Sequence, residues 1–277
     1  METFLIGGEL EVRRVGFGAM RLCGPRVTGW PADRENALAV LRRARELGVD
    51  FFDTADAYGP EVNELPVAEA LHTYEGVTVA TKGGLTRPEG HRGGWPPDGR
   101  PEYLRRACEA SLRRLRVETI DLYQLHRPDP KTPFAESVGA LAELQQDGTI
   151  RHVGLSNVSV AQLDEARRVV EIASVQNEYN LGNRESEDVL EACEREGIAF
   201  LPWYPLDAGD LARPGGPVEE IAAAHDATAA QVALAWLLQR SAVTIPIPGT
   251  SSLDHLEENL GARDLILSDT ELARLAG

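Results

Sequence analysis

Four residues in this chain have the types needed to protonate a carbonyl oxygen: Asp53, Tyr58, Lys82 and His126. A tyrosine hydroxyl, with an ordinary pKa of about 10, is a weak proton donor at neutral pH. A nearby ammonium favours the phenolate, so a lysine beside Tyr58 predicts a lowered value. A carboxylate next to that lysine keeps it charged and oriented, and a histidine can donate a hydrogen bond to a substrate oxygen. Singly, each residue has a plainer role: an aspartate in a turn, a tyrosine over a rim, a solvated lysine, a histidine at an edge. The chemistry depends on all four meeting in one place.

The elements around them predict such a meeting. In GVDFFDTADAYG, Gly48 ends a helix, Val49, Phe51 and Phe52 make a short apolar strand, Asp53 closes it, and Tyr58 follows in the loop. Residues 3–12 read as a small hairpin turning at Gly7-Gly8. Strands are then expected at 15–19, 51–52, 77–80, 120–125, 150–155, 174–176, 198–201 and 243–247, each followed by helix. Asp33 caps the first helix, whose Leu38, Leu41 and Ala44 recur at helical spacing; Pro101 opens another, with Leu104, Cys108, Ser111 and Leu115 on one face. Lys82 stands at the end of the third barrel strand and His126 at the end of the fourth. Eight strand–helix units without a composition break give an α/β fold, a (β/α)8 TIM barrel with an N-terminal β-hairpin, as a single domain over 1–277. Its strand ends share one mouth. The competing open doubly wound sheet wants a GxGxxG turn after its first strand, and VGFGAMRL does not supply one. The Gly/Pro-rich stretch 83–100 is long enough to be a functional loop.

Composition narrows the partners. The chain has 277 residues, 43% of them hydrophobic, and a formal net charge of −16. So acidic a balance argues against nucleic acid or an anionic membrane surface as partner. Cys23, Cys108 and Cys193 are odd in number, far apart and without a CxxC, so neither a zinc site nor a disulfide framework is expected. The opening METFLIGGELEV lacks the basic segment and apolar run of a signal peptide. No stretch approaches the roughly 20 apolar residues that span a bilayer. A cytoplasmic protein, with a monomer the simplest state, is the expectation.

The run Asp53-Thr54-Ala55-Asp56-Ala57-Tyr58-Gly59, with Lys82 and His126 at the following strand ends, resembles the aldo-keto reductase family. GLSN at 154–157, QNEYN at 176–180, WYPL at 203–206 and IPGTSSLDHLEENL at 247–260 agree, so the resemblance covers nearly the whole chain. It implies a nicotinamide cofactor, no metal, and reduction of a small carbonyl substrate to an alcohol. Tyr58 would be the general acid, tuned by Lys82 and Asp53, with His126 orienting the carbonyl. Ser156, Asn157 and Gln176 would hold the carboxamide of the nicotinamide, with Trp203 stacked on its ring. Met20, Arg21 and Leu206 would lie along the cofactor, and Gly249, Thr250, Ser251 and His255 would line the adenosine phosphate. Glu258 and Asn259 would reach the adenine, and Asp53 would also border the cofactor.

Two departures from the family pattern matter. Gly249 stands where many members have a lysine, and His255 where many have an arginine, the cations that favour the 2′-phosphate of NADP. The hydroxyls of 250–252 and a helix N-terminus must then serve, and NADP(H) is still expected over NAD(H). Only 18 residues follow Asn259, so the extended C-terminal loop of some relatives is expected to be missing. An open substrate site walled by Met20, Trp30, Trp95 and the 83–100 loop is the expectation, with rim packing the alternative for both tryptophans. The rival to an enzyme is a redox-sensing regulatory subunit that holds cofactor and turns over slowly.

Overall fold

The computed structural model describes residues 2–87, 94–206 and 216–276; residues 88–93 of the long 83–100 loop lie outside the described residues. The strands are β1 Thr3–Ile6, β2 Leu10–Arg13, β3 Phe17–Gly18, β4 Phe51–Asp53, β5 Thr78–Gly83, β6 Ile120–Leu125, β7 Ile150–Ser156, β8 Ile172–Gln176 and β9 Ala199–Phe200. The helices are α1 Arg34–Glu46, α2 Glu64–Leu71, α3 Pro101–Leu115, α4 Phe134–Gln146, α5 Val160–Arg167, α6 Glu187–Glu196, α7 Pro217–Ala224, α8 Ala229–Arg240, α9 Leu253–Gly261 and α10 Asp269–Ala276. β3 to β9 form one parallel sheet in chain order, each strand hydrogen-bonded to the next.

Alternation along the strands sorts the core into two layers. Phe52, Val79, Tyr123 and Leu125 join the apolar faces of the surrounding helices, including Leu41 of α1 and Leu104 and Cys108 of α3. Phe51, Ala80 and Leu122 instead fill the barrel interior with Ile245 and Ile247. The same period carries Asp53, Lys82 and Gln124 inward, one layer nearer the C-terminal mouth.

The expected eighth strand at 243–247 is not a regular one. Phe200 N donates to Val243 O and Ile245 N donates to Phe200 O, both at 2.9 Å. On the other side Gly16 N donates to Pro246 O at 3.0 Å and Gly18 N to Pro248 O at 3.3 Å. Pro246 and Pro248 have no N–H to return, so this segment closes the barrel by accepting only on its β3 side.

β1 and β2 pair antiparallel with Ile6 opposite Leu10, so the turn has three residues, Gly7-Gly8-Glu9, rather than two. Both glycines take positive φ, 59° and 72°. Gly7 also has no room for a side chain, because a Cβ there would lie 2.4 Å from Nδ1 of His152. Ile6, Leu10 and Val12 are buried in the inner layer, so the hairpin plugs the barrel floor and leaves the opposite mouth for chemistry. Among the described residues, no single helix is long and apolar enough to cross a membrane.

Candidate active site

Strand alternation and loop pinning bring the four chemical residues to one mouth. Asp53 and Lys82 are 2% and 0% exposed, and Lys82 Nζ donates to Asp53 Oδ2 at 2.6 Å and to Thr54 O at 2.9 Å. Gln176 Nε2 at 2.9 Å and Gln124 Nε2 at 3.2 Å both donate to Asp53 Oδ1. Four hydrogen bonds from three donors thus fix the buried carboxylate and ammonium. Removing either ion-pair partner would strand a buried charge, at a cost of about 3–5 kcal/mol.

The Tyr58 ring packs over this pair, with Lys82 Nζ 5.2 Å from its centroid. The rings of Tyr58 and His126 meet edge-on with centroids 5.7 Å apart, and Trp95 closes the triangle at 5.8 Å and 6.3 Å. His126 N donates to Gly83 O at 2.8 Å, and Asn157 Nδ2 donates to His126 O at 3.0 Å. Backbone contacts of β5 and of the loop after β7 therefore set where the histidine stands.

Burial dominates the electrostatics. It pushes the Tyr58 hydroxyl well above the ordinary tyrosine range, and the Asp53 carboxylate adds to the rise. That is opposite to the lowering expected from Lys82. Burial, then the charges of Lys82 and Arg127, hold His126 well below the ordinary imidazole range. Burial also pulls the Lys82 ammonium down, with Asp53 opposing it. Tyr58 and His126 are therefore both in their neutral, proton-bearing forms around pH 7.

These residues stand at the foot of a cavity of about 860 Å³. Asp53, Tyr58, Trp95, His126, Ser156, Asn157, Gln176 and Trp203 line its foot and middle; Met20, Arg21, Leu206, Gly249, Thr250, His255, Glu258 and Asn259 line the rest. The loop motifs after β7, β8 and β9 fasten one another along it. Asn157 N donates to Gln176 O, Val158 N to Asn177 Oδ1, and Trp203 N to Asn177 O, at 3.0–3.1 Å. At the far end Ser252 caps α9, accepting from His255 N at 3.3 Å.

Three expected residues do not line the cavity. Lys82 lies beneath its floor. Ser251 borders a neighbouring cavity of about 590 Å³, and its carbonyl accepts from Asn36 Nδ2 at 2.8 Å. Trp30, 41% exposed, carries the Arg34 guanidinium 4.8 Å above its ring. Conversely, Gln124, Arg127 and Tyr204 belong to the site and carry no assignment in the sequence reading. Gln124 precedes His126 by two, which is the period that turns both residues inward; Arg127 follows His126 directly.

The cavity is chemically suited to a dinucleotide. A Cβ at Gly249 would meet Gly18 O at 2.4 Å, and one at Gly18 would meet Ile247 O at 2.6 Å, so the two backbones abut with no side chain between them. A side chain at 249 would thus require this crossing of the two backbones to shift. The place is bordered instead by Arg21, whose Cγ lies 3.6 Å from the same point. Arg21 and the N-terminus of α9 supply positive charge for phosphates, with His255 beside them on the cavity wall. Among the described residues, no group of three His, Cys, Asp or Glu side chains could hold a metal.

A parallel barrel with a buried Asp–Lys pair under a tyrosine and a histidine, and a phosphate-ready far end, defines a carbonyl oxidoreductase. The model of the Aldo/keto reductase family matches residues 14–277, and the chain belongs to that family. It is 49% identical over 268 residues to an uncharacterised oxidoreductase of Schizosaccharomyces pombe, covering 97% of this chain and 87% of the relative. It is 43% identical over 282 residues to pyridoxine 4-dehydrogenase of Escherichia coli, covering 99% and 97%. An aldo/keto reductase from Klebsiella pneumoniae, solved in complex with NADP and acetate, superposes with a TM-score of 0.83 at 28% identity, covering 99% and 93%.

Proposed function

We propose that this oxidoreductase reduces aldehydes and ketones with NADPH, using Tyr58 as the general acid. The observation that carries the reading is one cavity joining two fittings. Its foot holds Tyr58 and His126 over the Asp53–Lys82 pair, and its far end holds Arg21, Gly249, Thr250 and His255 at the start of α9. One domain acting as a monomer is part of this proposal.

A reduced nicotinamide bound along that cavity supplies a hydride to the carbonyl carbon. The chain's own residues handle the oxygen. His126, neutral and edge-on to Tyr58, donates a hydrogen bond that orients it. The Tyr58 hydroxyl is protonated at working pH because burial favours its neutral form, so it is loaded as a donor. Once the proton has left, the phenolate stands over the Lys82 ammonium, which offsets the new charge. Ser156, Asn157 and Gln176 supply the amide and hydroxyl groups for the carboxamide, and Trp203 a flat wall for the ring. Arg21, Thr250 and His255 answer the nucleotide phosphates, with NADPH favoured over NADH. Glu258 and Asn259 face the adenine.

The name of the Escherichia coli relative makes pyridoxal, an aromatic aldehyde, the first substrate to test, and the indoles of Trp95 and Trp203 suit a flat ring. NADPH and NADH oxidation should be followed with pyridoxal and with aromatic, aliphatic and dicarbonyl compounds. The reading expects turnover with NADPH at lower KM than with NADH. A folded protein that binds either cofactor yet reduces none of these substrates would refute it.

A further inference from the structure

Two arginines line the cavity, Arg21 at the cofactor end and Arg127 at the substrate mouth. Arg127 is exposed, and it has no hydrogen bond or ion pair to another described residue. Some arginines on this acidic surface pair with carboxylates, as Arg34 does with Glu69, Arg43 with Glu257 and Arg105 with Glu143, while others such as Arg42, Arg106 and Arg195 pair with none among the described residues, so it is the place of Arg127 on the cavity wall that sets it apart. Arg87, near the same mouth, is also engaged. It donates to Val27 O at 3.2 Å and to Thr28 Oγ1 at 2.8 Å, and its guanidinium lies 4.4 Å from the Trp95 ring centroid. The two carboxylates on the cavity wall are Asp53, tied to Lys82, and Glu258, at the far end in α9. Among the described residues, no other carboxylate lines the cavity to compete for Arg127.

The loop that carries Arg127 is held by hydrogen bonds on both sides of the arginine. His126 is pinned on its N–H by Gly83 and on its carbonyl by Asn157. Asp129, buried, accepts from Gly99 N at 3.0 Å, Lys131 N at 2.9 Å and Thr132 Oγ1 at 2.9 Å. A free guanidinium is thus held on a fixed rim, one residue from the histidine that faces the carbonyl. Its fork of donors matches carboxylate or phosphate oxygens two at a time.

We propose that Arg127 receives an anionic group carried by the substrate, so that the site prefers aldehydes bearing a carboxylate or phosphate to their neutral counterparts. The inference rests on the reductase reading above. It names a substrate class rather than one compound, and the binding energy falls on a part of the substrate remote from the reacting carbon.

The test compares matched pairs in the wild type, Arg127→Met and Arg127→Lys. One pair is 4-carboxybenzaldehyde and 4-carbamoylbenzaldehyde, for carboxylate; the other is pyridoxal 5′-phosphate and pyridoxal, for phosphate. In at least one pair the wild type should favour the anion by about tenfold or more in kcat/KM, chiefly through KM. Arg127→Met should collapse that ratio toward one, and Arg127→Lys should restore part of it. The pair that shows the effect identifies the anion. Equal ratios in wild type and Arg127→Met, or no anion preference in either pair, would overturn the proposal. Calorimetric binding of 4-(hydroxymethyl)benzoate and 4-(hydroxymethyl)benzamide to the NADP-saturated proteins separates the two readings. If no aldehyde is reduced, the reductase reading fails, and the acid-to-amide affinity ratio in wild type and Arg127→Met still decides the arginine.

Discussion

At the scale of single residues, environment changes what residue type suggests. Tyr58, Lys82, Asp53 and His126 are legible from type and spacing, but the direction of the Tyr58 shift is not. A lysine near a phenol argues for a lowered pKa, yet burial dominates and raises it. Burial comes from Trp95, His126 and the loops over the mouth, which sequence spacing does not place. His126 is shifted for the same reason, and the shift has a measurable consequence. Below about pH 6.5 the unfolded chain takes up a proton that the buried native ring refuses, so stability falls as pH falls. The slope from this one group reaches about 1.4 kcal/mol per pH unit. His126→Asn should therefore lose unfolding free energy less steeply than wild type between about pH 6.5 and 5 in urea titrations. Parallel slopes would mean that the native ring is protonated after all.

At the scale of elements, the strand ends and loop motifs are legible because each strand is short, apolar and followed by a helix. The segment 243–247 reads as a strand and forms a single parallel bridge, Thr244 to Phe200, rather than a regular strand. Its alternating Val243, Ile245 and Ile247 look like any barrel strand, but Pro246 and Pro248 leave it only acceptors toward β3. The same closure explains a residue that motif comparison leaves as a deficit. Gly249 is no vacancy for a missing lysine; it is where the chain crosses Gly18 at backbone contact. Gly249→Ala should force that crossing apart, because its Cβ would sit 2.4 Å from Gly18 O. About 1–3 kcal/mol of strain is expected, and the Arg21 and Thr250 wall should move with it. NADPH affinity, read by quenching of tryptophan fluorescence, should fall about tenfold or more while the protein still unfolds cooperatively. An unchanged Kd would remove this crossing from the cofactor site.

At the scale of the whole molecule, the charge of −16 and the anionic cofactor pull in opposite directions. The fold resolves this locally. Arg21 and the α9 N-terminus gather positive charge at one end of the cavity, and Arg127 stands at the other. The first set was visible in the sequence through its motif; Arg127 was not, because only the assembled mouth shows that no acid among the described residues pairs with it. The barrel plan binds these ends into one catalytic account: hydride delivered within the cavity, proton delivered by Tyr58. The most direct test measures NADPH-dependent reduction by wild type and Tyr58→Phe, with the NADPH Kd of each determined alongside. Loss of the hydroxyl should lower kcat by roughly 10²–10⁴-fold and leave the Kd within about twofold, since only one hydroxyl at the substrate end is removed. Near wild-type turnover in Tyr58→Phe would contradict the account, because some other group would then be supplying the proton.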